Sequence, residues 1–138
     1  MKTRIQTVAL TGALLLATLG AASAKDVAVS LSGDQEVPAV TTAAKGTGKI
    51  TVGDDKSVSG SIETTGIAGM AAHIHEAAPG ANGPPIITLE KKGDNEWVVP
   101  AGSKLTDAQY ASFKAGNLYV NVHSPDHKGG EIRTQLKP

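Results

Sequence analysis

The chain has 138 residues, with 13 basic and 13 acidic side chains, four histidines and no cysteine. That length suits one ordinary domain, and balanced charge without a basic run argues against nucleic acid or an anionic membrane as a partner. The lack of cysteine excludes a disulfide framework, a thiolate metal site and lipid attachment through a cysteine.

Residues 1–24 read as an export signal. Lys2 and Arg4 form a positive start, residues 8–19 (VALTGALLLATL) an apolar stretch, and Ala22-Ser23-Ala24 a small-x-small cleavage site before Lys25. The apolar stretch is too short for a comfortable membrane span. Removal of 24 of the 138 residues leaves 114, with 11 basic against 13 acidic side chains. The expectation is a soluble periplasmic or secreted protein, free of the membrane after cleavage, with residues 25–138 as one domain.

The rest reads as short alternating strands separated by Gly, Pro and Asp turns. Val27, Val29 and Leu31 alternate with polar residues in a first strand. Asp34 and Glu36 follow in a loop, where such acids are ordinarily solvated. Residues 48–52 and 58–64 flank Gly53-Asp54-Asp55-Lys56 as a hairpin. Residues 67–75 form a further strand, 79–85 (PGANGPP) a loop, and 86–89 and 97–99 two more strands. Thr106-Asp107-Ala108-Gln109 fits a capping box, Tyr110 and Phe113 lie three apart and Gly116 offers a stop, which predicts a helix over 106–115. Residues 118–123 and 131–136 close the chain as a hairpin. This pattern predicts an all-β antiparallel Greek-key sandwich with one short inserted helix.

The histidines fall on strand faces. Alternation puts Ala71, His73 and His75 on one face of their strand and Met70, Ala72 and Ile74 on the other. In the last hairpin, Tyr119, Asn121 and His123 oppose the apolar Leu118, Val120 and Val122, so His123, Glu131 and Arg133 share an outward face. Residues two apart on a strand lie roughly 6.5–7 Å apart, close enough for two imidazoles to converge on one ion. His73, His75 and His123 are therefore expected to hold a metal on the surface of the domain. His127, four residues on in a loop, is the preferred fourth ligand; Met70 falls on the wrong face by parity. Glu76 and Glu131 are expected to orient the imidazoles. Nitrogen donors without sulfur suit copper, as Cu(I) or Cu(II), with zinc less favoured, and do not suit calcium or magnesium. Ser124 beside His123 lacks a nucleophile-elbow context, so no catalytic residue is assigned.

Four motifs in order carry a family resemblance. Leu31-Ser-Gly-Asp-Gln-Glu-Val-Pro-Ala39, the stretch from Met70 through His73-Ile-His75 to Asn82-Gly-Pro, Leu118-Tyr-Val-Asn-Val-His-Ser124, and Gly129-Gly-Glu-Ile-Arg-Thr-Gln-Leu136 resemble the CHRD domain, named from chordin. The resemblance implies an immunoglobulin-like or superoxide-dismutase-like β-sandwich. His73-Ile74-His75-Glu76 is also similar to the copper strand of copper/zinc superoxide dismutases, and Val122-His123 to a later copper histidine there. Carried over, that similarity implies copper ligands at His73, His75 and His123. The chain lacks the histidines for the zinc site of that family and its cysteines. Arg133, aided by Lys128, matches an anion-guiding arginine only by strand and face; a surface ion pair with Glu131 is the simpler expectation.

Three functions follow as expectations. The first is an exported copper-binding protein for storage, delivery or detoxification. The alternatives are a copper-only dismutase-like enzyme and a structural or adhesive extracellular module without metal.

Overall fold

The computed structural model describes residues 23–138. The leader assigned to residues 1–24 lies outside the described residues, apart from Ser23 and Ala24. Strand alternation builds the elements. β1 (Ala24–Ser32) turns Val27, Val29 and Leu31 inward. β2 (Lys45–Gly53) adds Ile50 and Val52, and β3 (Val58–Thr65) adds Val58 and Ile62. β4 (Ala71–Glu76) buries Ala72 and Ile74. β5 (Pro85–Thr88), β6 (Glu90–Lys92) and β7 (Glu96–Val98) are short. β8 (Leu118–His123) and β9 (Ile132–Leu136) complete the wall.

The helix predicted over 106–115 forms as α1 (Asp107–Lys114). The Thr106 side chain accepts from the Gln109 backbone N–H and the Gln109 side chain accepts from Thr106, so both halves of the capping box are made. Phe113 anchors the helix in the core.

All strand pairs are antiparallel, in the order β5-β4-β8-β9-β1-β2-β3-β7-β6. The all-β antiparallel class is the expected one, and its walls belong to one nine-stranded sheet rolled into a nearly closed barrel. The two edges, β5 and β6, are separated in sequence by Leu89 alone, so one segment runs from one edge to the other. The Leu89 N–H donates to the Ala72 carbonyl at 2.9 Å, and Lys91 Nζ donates to the Gly69 carbonyl at 2.9 Å. Closure of this kind removes the unpaired backbone that an open sheet edge presents.

Three local expectations need correction. The strand expected from residue 67 begins at Ala71, and 67–70 leads into it without regular structure. β6 was not foreseen, because its three residues are all charged and exposed and carry no alternation. Most consequential, the outward face of β4, β8 and β9 is not a free surface. All six residues of β8 are buried, including Tyr119, Asn121 and His123. Segments 33–44 and 77–84 lie across that face and are tied down by hydrogen bonds. Asn82 Nδ2 donates to the Val37 carbonyl at 2.6 Å, Arg133 donates to the Ala81 carbonyl at 2.9 Å, and Gln135 Nε2 donates to the Ala77 carbonyl at 2.8 Å.

Because Ile74 is 1 % exposed within this core, Ile74→Ala is expected to destabilise the domain by about 2–5 kcal/mol. Denaturant unfolding should show the loss as a lower midpoint at unchanged slope.

Candidate metal centre

Pairing between β4 and β8 puts Ala71 opposite His123, His73 opposite Asn121 and His75 opposite Tyr119. β9 continues the rows, with Arg133 opposite Asn121 and Gln135 opposite Tyr119. Side chains at these positions share one face, so His73 and His75 meet His123 across one strand boundary. Their ring centroids lie 4.9 Å (His73–His123), 5.4 Å (His73–His75) and 5.8 Å (His75–His123) apart. One ligand atom from each falls within 4.8 Å of the other two. His75 and His123 are 7 % and 8 % exposed, and His73 is partly exposed.

Backbone carbonyls fix which nitrogen each ring offers. His75 Nδ1 lies 2.9 Å from the Gly83 carbonyl, and His123 Nδ1 lies 2.8 Å from the Lys128 carbonyl. A carbonyl only accepts, so both Nδ1 atoms carry the proton and both Nε2 atoms present a lone pair in the neutral ring. His123 Nε2 lies 3.0 Å from His73 Nδ1. His75 Nε2 is buried and finds no hydrogen-bond partner among the described residues. The His75 ring also stacks on Tyr119, with centroids 4.7 Å apart and planes within 1°. These contacts hold the ring with its bare nitrogen turned to the cluster.

Burial favours the neutral form of His73 and His75. Burial lowers the His75 pKa, with a smaller push from His123 and Arg133, and outweighs the Gly83 and Asn121 contacts that would raise it. Burial likewise lowers that of His73, followed by His123 and His75 as like charges. Neutral imidazole is the ligating form. Bonds of about 2 Å to one ion place donor nitrogens roughly 2.8–4 Å apart. The group fits a metal ion after an inward shift of less than about an ångström.

The structure brings His73, His75 and His123 together and leaves His127 outside the group. His127 instead closes the turn after β8. Its N–H lies 3.1 Å from the Ser124 carbonyl, and its carbonyl accepts from Gly130 at 3.0 Å. The turn thus delivers the Lys128 carbonyl to the cluster. Met70 precedes β4 and is 55 % exposed. Glu76 and Glu131, expected to orient imidazoles, bond to none of them. Glu131 accepts from Thr42 at 2.9 Å and from Ser124 at 2.7 Å, which pins the turn to segment 33–44. The expected surface pair of Arg133 with Glu131 does not form either. Arg133 is 2 % exposed, its guanidinium lies 3.5 Å over the Tyr119 ring, and it donates to Asn82, Ala81 and Gln135.

Glu36, expected to be solvated, is 5 % exposed. Burial pushes its pKa up to about 7, against the opposing pull of Asn121 and Arg133. No sequence signal marks it, because it sits in a loop without periodicity.

Fold and site together define a small antiparallel β-barrel domain with a candidate metal centre on its covered outer wall. Residues 27–136 match the CHRD domain, and the chain belongs to that family. CHRD domains occur in extracellular proteins. No curated protein and no solved structure was found to match the chain, so the likeness to superoxide dismutase gains no support from these comparisons. Among the described residues no helix is long and apolar enough to cross a membrane.

The lowered histidine pKa values carry a sign that can be tested. Between the folded value and the unfolded value of about 6.5, the unfolded chain binds more protons, so stability is lost as pH falls through that window. Glu36 acts oppositely. Its raised pKa means that stability is lost as pH rises from 4.5 to about 7. In metal-free Glu36→Gln, acid sensitivity below about pH 6.5 should therefore be steeper than in the parent. Denaturation at stepped pH, with NMR titration of His73 and His75, checks both the sign and the assignment.

Proposed function

We propose that this chain is an exported copper-binding protein that holds one copper ion through His73, His75 and His123, in copper storage, delivery or detoxification. The supporting observation is the convergence of three imidazoles, two of them oriented by a backbone carbonyl on Nδ1. Carbonyl support of this kind is how metal-ligating histidines are ordinarily oriented. An all-imidazole donor set favours copper or zinc over calcium or magnesium, and Cu(II) binds such donors more tightly than zinc. The leader of residues 1–24 and the extracellular setting of CHRD domains agree with a periplasmic or secreted location. Arg133 is packed on Tyr119 and engaged by three acceptors. It offers no free guanidinium to steer an anion, which ranks binding above dismutase chemistry.

Calorimetric titration of the mature chain should give one copper per chain. His73→Ala or His123→Ala should weaken binding by orders of magnitude, while His127→Ala should leave it near that of the parent. Alanine variants at His73 and His123 that titrate like the parent would sink the assignment.

A second expectation concerns folding. The rings lie on the face opposite Ile74 and Val122, which the barrel core holds without metal. Chelation should therefore leave the circular dichroism of the protein unchanged. A collapse of the β signal on chelation would make the ion part of the core.

A further inference from the structure

Three buried polar atoms without partners gather beside the imidazoles: His75 Nε2, Asn121 Oδ1 and Glu36 Oε1. Asn121 is their common neighbour, since its side chain acts on both His75 and Glu36 without closing a hydrogen bond to either orphaned atom. Gly130 roofs the spot at φ +124, and a Cβ there would overlap both the Glu36 carboxyl and the Asn121 amide. A backbone without a side chain is what leaves this carboxyl its place. Leaving such atoms unpaired in a buried place is costly, so the arrangement calls for an explanation.

Charge supplies one. A cation on three neutral imidazoles would add positive charge to a covered wall that already contains the buried Arg133 guanidinium. Among the described residues the buried acids are Glu36 and Glu131, and Glu131 is committed to Thr42 and Ser124. Glu36 is left to offset the ion. The groups that face it are Arg133, the Asn121 amide with His75 beyond it, and His127 across a cavity of about 360 Å³ that Glu36 and His127 both line.

We propose that Glu36 is the charge-compensating residue of this metal centre: it is a neutral acid in the metal-free protein and releases its proton when a cation occupies the three imidazoles. The inference deepens the metal-binding reading and rests on it. The step balances as one carboxylic acid becoming one carboxylate, with the O–H bond broken and the proton passed to solvent. Asn121 then lies between carboxylate and ligand ring, which makes Glu36 a positioning residue, remote from the ion itself. Its carboxyl is poised for the role, because burial holds it neutral up to about 7 and a nearby cation favours the charged form.

The test uses the mature chain with zinc ion as a redox-inert probe. Proton release per zinc is measured by calorimetry in two buffers of different ionisation enthalpy. At about pH 6.5 the parent should release more protons than Glu36→Gln, by up to about one, and the difference should shrink toward pH 8. The parent should bind zinc more tightly than Glu36→Gln at pH 8, and that advantage should shrink as pH falls below about 7. Infrared spectroscopy provides a second readout in the parent. A protonated carboxylic C=O band at about pH 6 should disappear on zinc addition and be absent from Glu36→Gln. Equal proton counts, or a band that survives zinc saturation, would overturn the role of Glu36 while leaving the histidine site standing. A parent chain that binds no zinc and no copper would overturn both.

Discussion

β4 and β8 are paired so that His73 lies beside Asn121 and His123 lies beside Ala71. The side-chain period of a strand is two, so a slip of one residue in this register would exchange every inward and outward position. Ile74 and Val122 would leave the core, and the imidazoles would enter it. Burial of Ala72, Ile74, Val120 and Val122 therefore fixes the register, and the register in turn fixes the distances among the histidines. The cluster owes its geometry to the apolar face behind it.

What turns a row of outward polar residues into a defined site is the layer laid over it. Segments 33–44 and 77–84 are held by side chains of the wall itself: Arg133 grips Ala81 and Asn82, Gln135 grips Ala77, and Glu131 grips Thr42. The same layer returns the Gly83 carbonyl to the ring of His75, while the turn after β8 returns the Lys128 carbonyl to His123. A buried arginine is costly unless its donors are met, and here three neutral acceptors and an aromatic face meet them. Its function is architectural, and it draws the loops into the place where they orient the histidines.

Much of this could be read in the chain beforehand. Alternation in Val27-Ala28-Val29-Ser30-Leu31 and in the final hairpin located the strands, the Thr106–Gln109 box located the helix, and parity placed His73 and His75 on one face with His123. The covering layer could not be read, because segments 33–44 and 77–84 have no period to betray which surface they touch. The carbonyls of Gly83 and Lys128 are invisible for another reason: every residue has one, and its identity carries no hint of its use. Glu36 was hidden by both effects, as a loop acid of ordinary appearance whose neighbours are set by tertiary contact. His127 is near His123 in sequence, yet its backbone closes the turn and it lies outside the three-histidine group.

The joining of the barrel edges through Pro85–Lys92, and the seating of β1 between β2 and β9, have a consequence for the order of events in synthesis. β1 meets β9 at Ser32 and Arg133, near opposite ends of the sequence, so the topology has high contact order and cannot close until the last strand is available. His73 and His75 are made long before His123, so the three imidazoles cannot converge until β8 has paired with β4. Strand topology thereby acts as a timer, delaying assembly of the cluster until the barrel wall is finished.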